Sequence, residues 1–135
     1  MIFVGRRASN KGIDLFEAVV KKLGCTSIIV DGWAKNSHEI AKLLNESKLL
    51  IMPSYNEGGP RVVLEALACR IPVLATPVGI VPEVLPQECI IDWSIKDIFH
   101  KAQRILGGNI PNMYYDMSRF EKKEAIKKYA DFLKS

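Results

Sequence analysis

Two glutamates on either side of a glycine-rich turn have a spacing that suits ligand binding. Glu57 is followed by Gly58, Gly59 and Pro60, and Glu65 completes a Glu-x7-Glu pattern. The glycines let the backbone approach a ligand closely, and proline suits the first turn of a helix. Such a turn between a strand and a helix presents free N–H groups to an anion such as a diphosphate. The two carboxylates could hold sugar or ribose hydroxyls beside it.

Short apolar runs alternate with helical patterns along the chain, which indicates a parallel sheet with crossover helices. The predicted strands are Ile2–Gly5, Ser27–Asp31, Leu49–Met52, Val73–Ala75 and Cys89–Ile91. The predicted helices between them carry apolar residues at helical spacing, namely Ile13, Phe16, Val20 and Leu23, then Ile40, Leu43 and Leu44, then Val63, Leu64 and Leu67. We therefore expect a single Rossmann-like three-layer α/β/α domain with a parallel sheet of about five strands.

Three further helices are predicted in the second half of the chain. A short one lies around Val81–Leu85, and a longer one covers Ser94–Leu106 with Ser94 as its N-cap. Gly107-Gly108-Asn109 ends the longer helix, and a final helix covers about 116–134. The final helix carries a group of basic residues, Lys122, Lys123, Lys127 and Lys128.

Two blocks of sequence resemble the donor-binding domain of retaining glycosyltransferases of family 4 (group 1), which have the two-domain GT-B fold. Each block lies at the end of a predicted apolar strand. They read Phe3-Val4-Gly5-Arg6 with Lys11-Gly12, and Pro53-Ser54 with Glu57-x7-Glu65, Ala66, Pro72-Val73-Leu74-Ala75, Gly79 and Pro82-Glu83-Val84. The resemblance runs from about Ile2 to Asp92 and corresponds to the C-terminal half of such enzymes. We therefore expect residues 1–135 to form a donor-binding domain without the acceptor domain.

The resemblance implies a hexosyltransferase that uses a UDP-sugar or GDP-sugar donor and needs no other cofactor. It assigns Arg6 and Lys11 to the donor diphosphate, Glu57 to the transferred sugar and Glu65 to the ribose. Two fixed cations can stabilise the charge of a departing nucleoside diphosphate without a metal ion. The glutamates do not fit a glycosidase pair, because both come from one loop–helix segment instead of facing each other across a scissile bond.

The other predicted donor contacts are backbone groups, one cation and one aromatic ring: Gly5, Gly58, Gly59, Pro60, Arg61 and Trp33. Trp33 follows Asp31-Gly32, where family members place the nucleobase. It could wall the base pocket or pack against the sheet edge. Arg61 could add charge at the diphosphate or face solvent. His38 and His100 have no partner spacing that suggests a metal, and we expect both at the surface.

The chain departs from the family pattern in its length and at two glycine positions. Relatives usually carry two strand–helix units between Lys11 and Pro53, whereas only one fits here, so an internal βα unit is missing. Ile80 replaces a second glycine after Gly79, and Arg70 stands where many relatives have glycine.

Composition and charge exclude several other classes of protein. No apolar run in the 135 residues approaches the roughly 18 residues of a membrane span. Ile2 already belongs to a predicted strand, so we expect no signal peptide before it. A net charge of +4 suits an anionic ligand or an acidic membrane surface but is too small to indicate nucleic-acid binding. Cys25, Cys69 and Cys89 are expected as core thiols in a reducing compartment. We expect a cytoplasmic protein, with peripheral membrane association as a further option.

The basic final helix suggests partners, and two other functions stay open. An acceptor-binding subunit, a second copy of the chain or an anionic membrane could dock on this helix, although a solvated helix face is the simpler interpretation. The chain could also be a non-catalytic nucleotide-sugar-binding module that regulates another protein. A flavodoxin-like domain with an unrelated phosphate ligand is the third possibility, and the Glu57-x7-Glu65 pattern with Arg6 and Lys11 argues against it.

Overall fold

The computed structural model of the chain describes residues 1–4, 11–30, 37–55 and 61–111. In this part of the chain, short strands form one parallel sheet. They are β1 (Ile2–Val4), β2 (Ile28–Val30), β3 (Leu50–Met52) and β4 (Val73–Ala75). Their order across the sheet is β2-β1-β3-β4, and β1 pairs with β2 through Ile2 and Ile28 and with β3 through Ile2 and Leu50.

Helices cover both faces of this sheet. They are α1 (Ile13–Leu23), α2 (Ser37–Asn45), α3 (Arg61–Ala68), α4 (Val81–Val84) and α5 (Ile95–Leu106). α1 contacts α5, and α2 contacts α3. Right-handed crossovers that run from β1 to β2 and from β3 to β4 progress in opposite directions, so α1 and α3 lie on opposite faces. The predicted three-layer Rossmann-like fold is confirmed.

The core lies between the sheet and these two helix layers. β3 and β4 are buried along their whole length, since they are covered on both faces. The rings of Phe3 and Phe16 lie 5.5 Å apart and join β1 to α1. Along α1 the buried positions are Ile13, Phe16 and Val19, whereas Val20 is only partly buried. The predicted apolar stripe of α1 was therefore wrong at Val20, because its neighbour Val19 takes the buried position.

The fifth predicted strand, Cys89–Ile91, is wrong as a strand. Gln87–Cys89 forms a turn of 3-10 helix after Pro86, and the sheet continues as a single parallel bridge between Ile90 and Ala75. The N–H of Ile91 donates to the carbonyl oxygen of Ala75 at 2.9 Å. The described part of the chain therefore has four strands and this bridge.

The cap of α5 was predicted correctly. The Ser94 hydroxyl oxygen accepts a hydrogen bond from the N–H of Asp97 at 3.2 Å, which satisfies a donor of the first turn. The helix ends at Leu106, and Gly108 follows with φ 99°. The predicted final helix at 116–134 and its lysines lie outside the described residues.

α3 ends at a left-handed residue that is not glycine. Arg70 has φ 61°, and its N–H donates to the carbonyl oxygen of Leu67 at 3.0 Å. The N–H of Ile71 donates to the carbonyl oxygen of Ala66 at 3.1 Å. These are the two hydrogen bonds of a Schellman motif, which favours glycine at the position of Arg70. Arg70, which stands where many relatives have glycine, therefore occupies the left-handed position at the end of α3.

Two expectations about side-chain environment are settled within the described residues. His38 and His100 are exposed, as predicted. The three thiols are free, but Cys89 alone is buried, and Cys25 and Cys69 are half-buried. The prediction of core thiols is thus confirmed for Cys89, whereas Cys25 and Cys69 are partly buried and pack against the edge of the core. None of the described helices is long and apolar enough to cross a membrane.

Candidate functional site

The described ends of the two sequence blocks meet where the strand order of the sheet reverses. β1 leads through α1 to β2 on one side, and β3 leads through α3 to β4 on the other. In open α/β sheets, diverging connections leave a crevice at the carboxyl ends of the two strands, and ligands bind there. Lys11-Gly12 follows β1 and Pro53-Ser54 follows β3. The fold therefore brings both blocks to the edge of one crevice.

Gly12 packs directly against Pro53 and joins the two blocks. Its φ is 73°, and a Cβ at this position would overlap the carbonyl oxygen of Pro53 and lie 2.7 Å from the carbonyl carbon. Glycine meets both conditions, since it has no Cβ and adopts positive φ at little cost. The carbonyl oxygen of Gly12 accepts from the N–H of Phe16 at 3.2 Å as α1 begins. The half-buried Lys11 is thus held at the start of α1, beside the carboxyl end of β3.

The carbonyl oxygen of Ser54 fixes the loop that follows β3. It accepts a hydrogen bond from the Thr76 hydroxyl at 2.6 Å and another from Nε1 of Trp93 at 3.0 Å. Ser54 and Thr76 are buried, with 2% and 0% of their surfaces exposed. Donors from two other segments therefore hold the backbone just before the predicted turn at Glu57–Pro60.

α3 brings a buried carboxylate to this side of the sheet. Glu65 is 8% exposed, and both of its carboxylate oxygens are inaccessible to solvent. α3 follows β3, so its positive N-terminal end lies toward the carboxyl edge of the sheet. Burial, and secondarily the charge of Glu65, raise the pKa of the Cys69 thiol. Because Glu65 lies in a region of low dielectric, hydrogen bonds to its carboxylate are stronger than in water.

The predicted site residues fall into two groups. Lys11 and Glu65 are described with their side chains, and Arg61 is described as the first residue of α3. Lys11 and Glu65 belong to the connections that follow the adjacent strands β1 and β3. The others lie outside the described residues: Gly5, Arg6, Trp33, Glu57, Gly58, Gly59 and Pro60.

The turn after β4 accommodates the isoleucine that replaces a glycine. Gly79 has φ 57°, which is left-handed, whereas Ile80 has φ −86° and ψ −1°. The φ of Ile80 is negative, so its branched side chain avoids the left-handed region that glycine tolerates. Ile80 is half-buried and precedes α4.

An aromatic pair that was not predicted from the sequence lies at the same edge of the sheet. The rings of Tyr55 and Trp93 stack with centroids 5.8 Å apart and planes 10° from parallel. Both are large and exposed, Tyr55 by 50% and Trp93 by 40%. The available signal was the Asp92-Trp93 pair after an apolar run, which parallels Asp31-Gly32-Trp33 after the run of β2.

Residues 27–89 match the family model described as Glycosyl transferases group 1. This segment contains the second sequence block and runs from the residue before β2 to the end of the 3-10 turn. The chain is 36% identical over 95 residues to a putative teichuronic acid biosynthesis glycosyltransferase of Bacillus subtilis, covering 58% of this chain and 24% of that protein.

Two further relatives carry glycosyltransferase names. A D-inositol 3-phosphate glycosyltransferase of Arthrobacter is 33% identical over 76 residues, which cover 56% of this chain and 18% of the relative. An uncharacterized glycosyltransferase of Methanocaldococcus jannaschii is 27% identical over 106 residues, which cover 62% of this chain and 30% of that protein. The matches span 18–30% of the length of the three relatives. The chain thus contains a region similar to glycosyltransferases of group 1.

Proposed function

We propose that this chain binds the nucleotide-diphospho-sugar donor of a retaining glycosyltransferase. The observation that carries the proposal is the contact of Gly12 with Pro53 at the reversal of strand order. It supports a common ligand for Lys11 and for the glycine-rich turn that begins after Ser54. The similarity to group 1 glycosyltransferases supports a donor of that chemical class.

The diphosphate is bound in this proposal by cations and by backbone N–H groups. Arg6 and Lys11 supply fixed positive charge, and the turn from Gly58 to Arg61 supplies N–H donors at the start of α3. When the bond between the sugar and the diphosphate breaks, the leaving group gains negative charge. In this proposal the same groups stabilise that charge, and no metal ion is needed.

The two carboxylates bind different parts of the donor. Glu57 accepts hydrogen bonds from the hydroxyls of the transferred hexose. Glu65 accepts from the ribose after the groups that cover its carboxylate move aside, because both oxygens are inaccessible to solvent in the structure. Gly5 allows close approach at the end of β1, and Trp33 walls the base pocket. The setting is cytoplasmic, and the basic segment with Lys122 and Lys127 meets an acceptor-binding partner, a second copy or a membrane surface.

Separate substitution of the two glutamates tests this division of roles. Glu65→Gln should weaken binding of free UDP or GDP and of UDP-glucose or GDP-mannose alike, because the ribose is common to them. Glu57→Gln should weaken binding of the nucleotide sugars and leave the free diphosphates almost unchanged. Each lost charged hydrogen bond is worth about 1.5–3 kcal/mol, roughly 10–150-fold in affinity. Isothermal titration calorimetry measures all four affinities.

Glu46→Gln is the matched control, since Glu46 is exposed just beyond α2 and undergoes the same change of charge. It should leave every affinity unchanged, and thermal unfolding of each variant shows whether the fold survives. The same loss for both classes of ligand in both variants would contradict the assigned roles. A wild-type chain that binds none of the four nucleotides would contradict the proposed function itself.

A further inference from the structure

Tyr55 and Trp93 form a surface of two stacked, partly exposed aromatic rings that the folded core does not use. Three of the large hydrophobic residues exposed in the described part of the chain lie close in sequence to this surface or within it, namely Tyr55, Trp93 and Ile95. Stacking at 5.8 Å and 10° aligns the two rings. Aromatic surface exposed to water at the edge of a ligand crevice is typical of a binding site.

The surface is held rigidly. Nε1 of Trp93 donates to the carbonyl oxygen of Ser54, and the Thr76 hydroxyl donates to the same oxygen at 2.6 Å. Tyr55 directly follows Ser54, so one buried carbonyl group fixes both the indole and the backbone that carries the phenol ring. A rigid surface loses little conformational entropy when a ligand binds to it.

The surface lies at the carboxyl end of β3. Trp93 follows Ile90, which bridges to Ala75 of β4, and β4 pairs with β3. The indole reaches back to β3, since its Nε1 donates to the carbonyl oxygen of Ser54 at 3.0 Å. Tyr55 lies two residues before Glu57 in sequence, and the proposed function assigns Glu57 to the transferred hexose. The surface is therefore close in sequence to the predicted sugar contact.

We propose that the Tyr55–Trp93 surface binds the apolar face of a pyranose ring at the carboxyl edge of the sheet. This inference rests on the proposed function. The C–H groups on one face of a pyranose carry partial positive charge, and they complement the negative faces of aromatic rings. The exposed carboxylate of Asp92 lies next to Trp93 in sequence and can accept hydrogen bonds from sugar hydroxyls. The pyranose is either the hexosyl group of the donor or a sugar of a carbohydrate acceptor.

Removal of the Tyr55 ring tests the proposal and identifies the source of the sugar. Titration calorimetry compares wild type, Tyr55→Ala and Tyr55→Phe with three ligand classes: UDP and GDP, UDP-glucose and GDP-mannose, and the free disaccharides maltose and mannobiose. Tyr55→Ala should weaken a carbohydrate-containing class about 5–20-fold, as expected for loss of one stacking contact, and Tyr55→Phe should restore it. UDP and GDP should bind Tyr55→Ala as they bind wild type. Ile110→Ala, at a residue with the same 50% exposure, is the control.

The pattern of losses decides the outcome. A loss confined to nucleotide sugars assigns the surface to the donor hexose, and a loss confined to disaccharides assigns it to the acceptor. Equal weakening of UDP or GDP would overturn the inference in favour of a base-stacking surface. Unchanged affinity for every sugar, or no sugar binding by wild type, would overturn it outright. Disaccharide binding that depends on Tyr55, in a chain that binds no nucleotide, would support this surface and refute the proposed function.

The Trp93 indole gives a second readout that needs no loss of the Tyr55 ring. The chain has two tryptophans, so two indole N–H signals are expected in a proton–nitrogen correlation spectrum, and Trp93→Phe identifies one of them by deletion. The hydrogen bond to Ser54 should slow the exchange of the Trp93 indole proton. Addition of the sugar ligand should shift this signal in wild type. A signal that stays in place at saturation would overturn the inference.

Discussion

Cys89 is a residue whose surroundings disfavour ionisation. Burial, and then the charge of Glu88, raise the pKa of its thiol to about 11, although Lys101 acts in the opposite direction. The Lys101 ammonium is engaged nearby, since it donates to the carbonyl oxygen of Ile90 at 2.8 Å and to Asp97 at 3.2 Å. The thiolate is the reactive form of cysteine, so Cys89 should be inert at neutral pH.

The raised pKa of Cys89 predicts a loss of stability at alkaline pH. In the unfolded chain the thiol releases its proton near its ordinary pKa of 9.0, whereas in the folded chain it does so near 11. Between these values the unfolded state binds fewer protons, so the free energy of unfolding falls as pH rises. Cys89→Ala should remove this contribution. Thermal unfolding at about pH 8 and about pH 10.5 should therefore show a smaller decrease in Tm for the variant.

At about pH 8 the Cys89 thiol is protonated in the folded and in the unfolded chain, so it does not change the pH dependence of stability there. The Tm at this pH is therefore the reference value for each protein. The cost of the cavity left by Cys89→Ala appears at both values of pH and cancels in the comparison. An equal decrease in Tm for wild type and variant would show that this thiol does not contribute to the alkaline loss.

Alanine substitutions of the glycines at the two ends of α1 distinguish the cost of backbone strain from the cost of a steric clash at the site. Gly12 and Gly24 have similar left-handed φ values of 73° and 67°. A Cβ on Gly12 would overlap the carbonyl of Pro53, whereas a Cβ on Gly24 would meet nothing within 4 Å. A left-handed conformation costs a residue with a Cβ about 1–2 kcal/mol. Overpacking typically adds about 1–3 kcal/mol.

We therefore predict unequal destabilisation by the two alanine substitutions. Gly24→Ala should lower the free energy of unfolding by about 1–2 kcal/mol, and Gly12→Ala by about 2–5 kcal/mol. Chemical denaturation measures both. Gly12→Ala should also weaken binding of nucleoside diphosphates, because Pro53 must move, and Gly24→Ala should not. Equal losses of stability would show that the close contact between Gly12 and Pro53 is not a feature of the folded chain.

Elements with a local cause were predicted from sequence, and elements with a distant cause were not. Ser94 marked the start of α5 because a serine cap acts within one helical turn. The apolar run Cys89–Ile91 looked like a strand, but Pro86 starts a 3-10 turn there and one bridge to Ala75 remains. The left-handed Arg70 gave no local signal beyond its contrast with the glycine of similar proteins.

At the scale of the whole molecule, strand order decided the location of the candidate site. The alternation of strands and helices predicted a parallel sheet, and its carboxyl edge followed from general rules for such folds. The contact of Gly12 with Pro53 and the hydrogen bond of Trp93 with Ser54 join segments about 40 residues apart in sequence. Such contacts depend on the relative placement of whole elements, so the spacing of residues could not reveal them.

The central claim is a diphosphate site at the crevice between β1 and β3. The most direct test measures the affinity of the whole chain for a nucleoside diphosphate and compares substitutions of two lysines at opposite ends of α1. Lys11 precedes the helix at the site, and Lys21 lies exposed in its last turns. Ten residues of helix separate the two lysines by about 15 Å, beyond the Debye length of roughly 8 Å at physiological salt. Both alanine substitutions remove one positive charge, so the change of net charge is the same.

Calorimetric titration with UDP and GDP should show binding by wild type that weakens as salt is added, because the ligand is held by charge. Lys11→Ala should weaken this binding by about 1.5–3 kcal/mol, or roughly 10–150-fold, and Lys21→Ala should leave it unchanged. Equal affinity of wild type and Lys11→Ala for the diphosphate, or equal losses in the two variants, would contradict a diphosphate site at the crevice between β1 and β3.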